Sequence, residues 1–322
     1  MDSDDKINLG LIYTKPDALA WTFGGGESPI TGQVLQPDGN WEAYLPVVEF
    51  QNNWGYDRMA CVTYSLLNCL EILNIRLTGK EKNYSDRFLA VISGTTHNGN
   101  TLDGVYDGLR REGVCLESQY PDDAVTWEEY YKRITDDIII LAKDFFKDYT
   151  PYREWVPDWQ GADVIINALK QAPLQVIVCY DSGDGILNPT GAYNHAVTLY
   201  NFKYGEYWCI YDHYTQTRKR YAWNYEFGSI LKLTLIPTDM KYTFKQNQAY
   251  VLVQGNEQKV GLYIDGVVNG KTVKGLLIGE KIDVLINSSA RLKKEYLITP
   301  IPLTLEAFDS VNHYDMRGNI IE

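Results

Sequence analysis

Three residues of this chain have the types and surroundings for nucleophilic chemistry: Cys61, His195 and Asp212. Cys61 follows the loop QNNWGYDRMA and falls in the first turn of a strongly amphipathic helical pattern. A helix start carries about half a positive charge and unpaired N–H groups. Both favour thiolate over thiol, so a depressed Cys61 pKa is expected, and the thiolate is the nucleophilic form. The position also suits a small buried core residue. The other cysteines lack this setting: Cys69 lies two turns along the same helix, and Cys179 and Cys209 fall inside strands. His195 opens a strand pattern in GAYNHAVTLYNF, where it could take the thiol proton and later protonate a leaving amine. Asp212 ends the next strand pattern, EYWCIYDHYTQ. A tight turn at Lys203-Tyr204-Gly205 joins the two, so Asp212 is expected beside His195, able to fix the imidazole tautomer and orientation.

These residues need a scaffold, and the pattern supplies one. Val62, Leu66, Leu67, Leu70 and Leu73 recur at helical spacing. Ser85 can cap a short helix through Phe88-Leu89, Leu102 to Arg111 reads as a helix stopped by Gly113, Trp127 to Tyr149 as a long amphipathic helix, and Ala162 to Lys170 as a short one. The period then changes to two. LQVIVCY, from Leu174 to Tyr180, is a near-continuous apolar strand buried on both faces, followed by strands over 195–202, 206–212 and 230–236. Helices first and antiparallel strands second predict an α+β domain with two segregated halves.

The first 45 residues, with Gly24-Gly25-Gly26, Pro16, Pro29 and Pro37, read as an extended arm on that domain. Residues 1–240 carry 20 basic and 33 acidic groups, net −13, whereas 241–322 carry 10 and 9, net +1. The texture changes at the same point to short alternating runs. The expected boundary lies near Pro237-Thr238, with a domain over 1–238 and a small β-rich segment over 239–322. In that segment strands are predicted at 249–254, 260–264, 272–277, 282–287 and 296–300, a turn at Asp265-Gly266 and a short helix from Leu303 to Asp309.

Composition narrows the function classes. At 45% hydrophobic and 22% charged, the chain has the apolar content to fold. The net charge of −12 and the absence of a basic stripe argue against nucleic-acid binding. Arg218-Lys219-Arg220, the longest basic run, reads as a solvated strand end. No apolar run approaches the ~18–20 residues of a membrane span. The acidic start MDSDDKINLG is unlike a secretory leader, so a cytoplasmic location is expected. Five cysteines without a C-x-x-C pair fit a reducing compartment and no zinc knuckle. No cofactor or metal is called for.

In order and context, the motifs resemble the papain-like cysteine peptidases over about residues 8 to 238. The family pattern is a glutamine upstream of a cysteine on a long helix, a histidine in an (N/D)HAV strand, and an asparagine ending a YW-containing strand. Here these are Gln51, Cys61 in ACVTYS, His195 in NHAVTLYNF and Asp212 in EYWCIYDHY. GNTLDGVYDGLRREGVCLESQYP is similar to the family's glycine-rich loop, helix and Tyr-Pro stretch. The early Gly-Leu-Ile and Lys-Pro-Asp run, ACVTYSLLNCLEIL and SDRFLAVISGTT most resemble papain-like proteins of tailed phages and uncultured bacteria.

The resemblance implies a papain-like two-part fold, with Cys61 as nucleophile, His195 as acid and base, and Asp212 as orienter. Gln51 would donate to the oxyanion together with the Cys61 N–H. Tyr214 stands where the family has a tryptophan over the histidine–asparagine pair, and Gly99 and Asn100 lie in the stretch similar to the substrate groove. Three departures accompany this. The Gln51-to-Cys61 interval is longer than the family's, leaving Asn52 or Asn53 as alternatives. The third member is Asp rather than Asn. The family's long inhibitory pro-segment is not expected here; only the short arm could do such a job, and nothing in its sequence supports that.

Weaker candidates read blandly. Asp181-Ser-Gly-Asp-Gly185 lacks the later ligands of a calcium loop. His97 reads as a loop residue near the groove, His213 should point to the opposite face from Asp212, and His313 looks incidental. Glu128 and Glu129 do not face each other on a helix. No phosphate-binding loop, serine elbow or H-E-x-x-H helix is present. The expected activity is hydrolysis of peptide bonds in a peptide or protein substrate. The alternatives are a catalytically silent structural or binding component of a phage particle, docking through 239–322, and an acyl-transfer or amidase enzyme on the same triad. A phage protein would work in the host cytoplasm or the virion.

Overall fold

The first helical pattern becomes α1, Cys61–Thr78, with Cys61 at its first position. Gly79, in the left-handed region at φ 69°, ends it by donating to the Ile75 carbonyl. The helix is not amphipathic. Every residue from Cys61 to Asn74 is buried, which marks a central helix rather than a surface one. Two of the polar positions that suggest an outer face find partners inside: Tyr84 N donates to Glu71 Oε1 at 2.8 Å, and Asn74 Nδ2 to Lys80 O at 2.9 Å.

The computed structural model describes residues 8–16, 22–23, 34–157, 160–214 and 217–237, and beyond them six strands between 249 and 321. The described residues up to Pro237 belong to one compact unit, and the strands between Ala249 and Ile321 belong to another.

In the first unit α1 is followed by α2, Asp86–Ile92, and α3, Leu102–Glu112. Their caps are side chains: Ser85 accepts from Phe88 N and Thr101 from Gly104 N. Gly113 closes α3 at φ 75°, where a Cβ would stand 2.4 Å from the Ala142 carbonyl oxygen.

The single long helix expected over 127–149 is instead three short ones, α4 (Trp127–Tyr130), α5 (Asp136–Ala142) and α6 (Phe145–Asp148). Thr126 and Thr135 are extended and start new helices, and Asp136 and Asp137 sit in the first turn of α5. Short capping side chains and acids at these points favour helix starts over continuation. Tyr149 then begins a strand, β1, Tyr149–Trp155.

After α7, Ala162–Leu169, come β2 (Leu174–Val178), β3 (Ile186–Leu187), β4 (His195–Lys203), β5 (Tyr207–Tyr211), β6 (Arg218–Ala222) and β7 (Ile230–Pro237). With β1 they form one seven-stranded sheet in the order β1-β7-β2-β4-β5-β6-β3, antiparallel except for the β3–β6 pair. β2 is buried along its whole length. The α+β prediction holds. Helix α1 is clamped to the sheet by polar bonds: Gln175 Nε2 on β2 donates to Val62 O and Ser65 Oγ, each at 2.8 Å, and Thr198 Oγ1 on β4 donates to Ser65 O at 3.0 Å. These bonds fix the start of α1 against the start of β4.

In the second unit β8 (Ala249–Gln254), β9 (Glu257–Val268), β10 (Lys271–Ile278) and β11 (Leu297–Ile301) form an antiparallel sheet in the order β10-β9-β8-β11. β12 (His313–Tyr314) pairs with β13 (Ile320–Ile321). Asp265 and Gly266 are not a turn. They pair with Lys274 and Val273 inside the β9–β10 ladder, because that ladder is longer than the alternation suggests. The strand expected at 282–287, the helix at 303–309 and the glycines at 24–26 lie outside the described residues. Among the described residues no helix is long and apolar enough to cross a membrane.

Candidate functional site

The hairpin of β4 and β5 builds the centre. Thr198 pairs with Tyr211 across it, so the chain just past β5 returns alongside the start of β4. His195 Nε2 lies 2.8 Å from Asp212 Oδ1. Both side chains are buried. The Tyr214 N–H also donates to Asp212 Oδ1, at 3.1 Å. The other ring nitrogen of His195, Nδ1, is buried and has no hydrogen-bond partner.

Cys61 is brought to the same place from α1. Its sulfur accepts a hydrogen bond from the backbone N–H of Ala196, the residue after His195. The thiol is 0% exposed. The expected depressed thiol pKa is corrected here. Burial pushes the thiol strongly up, and the Ala196 N–H offsets only part of that. The nearby charges of Asp57 and Asp212 push the same way as burial. Desolvation of the thiolate outweighs the helix-start field.

Asp212 goes the other way. Burial alone would raise its pKa, but the charge and hydrogen bond of His195, then His213 and Lys219, hold it well below the ordinary carboxylate range. Lys219 corrects the reading of a solvated basic run. Arg218 and Arg220 are exposed, but Lys219 alternates to the inner face of β6. Its Nζ lies 2.9 Å from Asp212 Oδ2, with both side chains 1% exposed.

His213 is likewise not turned away. Its ring packs 5.1 Å from that of His195 and stacks on Tyr64 at 5.2 Å. Neither of its nitrogens has a hydrogen-bond partner, and burial depresses its pKa to about 3, so it is neutral. Ligand atoms of His195, Asp212 and His213 lie within 4.8 Å of one another, a spacing a cation could use. Asp212, however, already meets the Lys219 ammonium.

Gln51 is fully buried behind the helix start. Its Nε2 donates to Leu9 O at 3.0 Å and to Asp57 Oδ1 at 2.8 Å, so both amide hydrogens are engaged. Asp57, which the sequence reading passed over, organises this loop. It also accepts from Met59 N at 2.7 Å and from the Tyr214 side chain. Burial raises its pKa. Met59 has φ +53°, the one non-glycine in the left-handed region among the described residues. Such strain costs about 1–3 kcal/mol and persists only when its surroundings enforce it. Arg58 braces the loop from behind. It is buried, donates to Gln51 O and Asn53 O, and meets Asp122 at 2.7 Å. Tyr214 is half-buried, with its ring edge toward His195 and Tyr180.

The arm lies across this ensemble. Leu9 N donates to Asn194 O, beside His195, and Leu9 O takes the Gln51 amide. Gly10 is pressed on the Met59 backbone. Gly10 O accepts from Asn100 N, and Ile12 N donates to Asn100 O. Gly99 and Asn100 are therefore buried under the arm, where the sequence reading has them facing substrate. His97 is exposed and stacks on Trp127 at 3.7 Å.

No family model matches the chain, and no curated protein matches it. Solved structures do. Digestive procathepsin L 3 of Tenebrio molitor larval midgut aligns with a TM-score of 0.51 at 16% identity, covering 70% of this chain and 76% of that one. The bromelain protease from Ananas comosus, in complex with the E64 inhibitor, gives 0.48 at 18% identity, covering 61% and 98%. The Carica candamarcensis cysteine protease, also with E-64, gives 0.46 at 17%, covering 61% and 96%. At such identities the shared property is the fold, and the chain has a papain-like α+β fold. None of these matches bears on phage relatedness.

Proposed function

We propose that the chain is a cysteine peptidase that hydrolyses peptide bonds through Cys61, His195 and Asp212. The observation that carries this reading is the state of His195. Asp212 holds Nε2, and Nδ1 is left buried and without a partner, on the residue adjoining the N–H that touches the Cys61 sulfur. In this reading Nδ1 is the nitrogen that exchanges a proton with that sulfur.

In the proposed cycle His195 takes the Cys61 proton and the thiolate attacks the peptide carbonyl carbon. The oxyanion is met by the Cys61 N–H, which has no acceptor within its own helix, and by the Gln51 amide hydrogen now spent on Leu9 O. His195 then protonates the departing amine as the C–N bond breaks, leaving a thioester. Water adds to the thioester, giving its proton to His195, and the C–S bond breaks to restore Cys61.

Substrate reaches the sulfur only when the arm leaves. Leu9 O takes a Gln51 amide hydrogen that this reading assigns to the substrate oxygen, and Gly10 and Ile12 pair with Asn100. Leaving returns water to the site, which removes much of the burial that raises the thiol pKa. The test is alkylation by a thiol-directed epoxide, followed site by site with mass spectrometry. Cys61 should react faster than Cys69, Cys115, Cys179 and Cys209 once the arm is trimmed past Tyr13, and peptide cleavage should appear with it. Equal, slow labelling of all five after trimming rejects the peptidase.

The complete burial of Cys61 and its raised thiol pKa favour a second reading, a papain-like scaffold that binds a partner without turnover, such as a structural component of a phage particle. It predicts an inert Cys61 even without the arm.

A further inference from the structure

The buried ammonium behind Asp212 has no part in the cycle above. Ile210 on β5 pairs with Lys219 on β6, and Asp212, two residues on from Ile210, shares its face. The Lys219 side chain therefore runs under the end of β5 to Asp212 Oδ2, while Oδ1 faces His195. Two further contacts hold Nζ there: it donates to Asp181 O at 2.8 Å and sits 4.1 Å from the Tyr180 ring centroid. Tyr180 in turn packs its ring edge-on to His195, with the centroids 5.5 Å apart. Taking a lysine out of water is costly, and a solvated side chain on an edge-facing position would avoid the cost.

We propose that Lys219 is a positioning residue that neutralises the Asp212 carboxylate, so that His195 is oriented by an acceptor without net charge. The inference rests on the peptidase reading for its meaning, but not for its test. A bare buried carboxylate at hydrogen-bond distance stabilises the imidazolium and keeps the proton on the ring. An ammonium on the second oxygen cancels much of that pull while leaving Oδ1 in place to fix the ring. His195 then stays able to release its proton to the leaving amine. The other groups around the imidazole are Asp57 from the loop before α1, His213 and Tyr214 after β5, and Tyr180 after β2, while the Cys61 sulfur meets the backbone N–H of the next residue, Ala196. His213 is neutral and Asp57, a carboxyl, carries no positive charge in any form, so neither replaces the cation.

The experiment is a pH titration of the His195 imidazole by NMR on histidine-labelled full chain, with the signal assigned by its loss in His195→Gln. Lys219→Met should move the titration up by about one pH unit or more, and the alkaline limit of cleavage should move with it. Lys219→Arg keeps the charge and should titrate with the wild type. Asp212→Asn strands the ammonium and should move the titration down. The double variant Asp212→Asn/Lys219→Met restores a neutral acceptor and should titrate close to the wild type. This pair also decides the matter if Lys219→Met alone does not fold. A Lys219→Met titration that stays put, or a double variant displaced as far as Asp212→Asn, overturns the proposal. A chain that never cleaves or labels overturns the peptidase reading instead, and the imidazole titration still decides this one.

Discussion

The Gln51 side-chain amide donates one hydrogen to the backbone carbonyl of Leu9 and the other to Asp57 Oδ1, at 3.0 and 2.8 Å. One side chain thus ties the N-terminal arm to the loop that launches α1. In the proposed peptidase, the arm and an incoming carbonyl compete for the same hydrogen.

That competition can be tilted by a single methyl group. Gly10 has φ +104°, and a Cβ there would stand 2.3 Å from the Met59 carbonyl carbon and oxygen. Gly10→Ala should destabilise the seated arm without touching Cys61, His195 or Asp212. A loss of only about 1.4 kcal/mol opens it about tenfold more often. Epoxide labelling of Cys61 should accelerate by at least that factor. An unchanged rate means the arm does not control access.

Among the site residues the losses should be ordered. Cys61→Ala removes the nucleophile and should abolish peptide cleavage, and His195→Ala should lower kcat by about a thousandfold or more. Asp212→Ala should cost less, because it orients rather than reacts. Steady-state kinetics on a fluorogenic peptide panel measures all three. A Cys61→Ala protein that still cleaves assigns the chemistry elsewhere.

Acid sensitivity should come from His213. Its folded pKa is held down to about 3 by burial, against about 6.5 in the unfolded chain. Between those values the unfolded state binds a proton that the folded state refuses. Stability therefore falls as pH drops from about 6.5 toward 3, with a slope approaching about 1.4 kcal/mol per pH unit, and is flat in this respect above 6.5. Asp212, depressed in the folded state, keeps its contribution above the ordinary carboxylate range and loses it only in stronger acid. Urea melts from pH 7 to 5 should show the slope, and His213→Phe, which preserves the stack on Tyr64, should flatten it.

Arg58 should matter for stability more than its distance from the sulfur suggests. Its guanidinium is 0% exposed and meets Asp122, while its N–H groups hold Gln51 O and Asn53 O. Arg58→Met leaves Asp122 without its cation and should cost about 3–5 kcal/mol. Chemical denaturation measures the loss. A drop below about 1 kcal/mol indicates that water replaces the guanidinium at no great expense.

What could be read in one dimension were the features set by local chemistry. The cap at Ser85 lies three residues from what it caps, and Gly113 stops α3 one residue past its end. The 195–212 hairpin is announced by a turn and two period-2 runs, and with it the chance of an imidazole beside a carboxylate. The start of α1 at Cys61 follows from the end of a polar loop and the onset of helical spacing.

The rest depended on groups far apart in the chain. α1 looks amphipathic because Ser65, Glu71 and Asn74 look like part of an outer face; only the partners supplied by residues 80, 84, 149, 175 and 198 make them interior. Lys219 looks solvated in a basic run until the pleat of β6 turns it onto Asp212. The thiol, acidic by its place on a helix, becomes a poor acid once it is excluded from water, with the arm anchored on the residues around it. Which residue types could react, and which local elements carry them, was written in the order of amino acids, because propensity and period act over a few residues. Their protonation and their access came from the folded packing, because desolvation and charge act through space on whatever lies alongside.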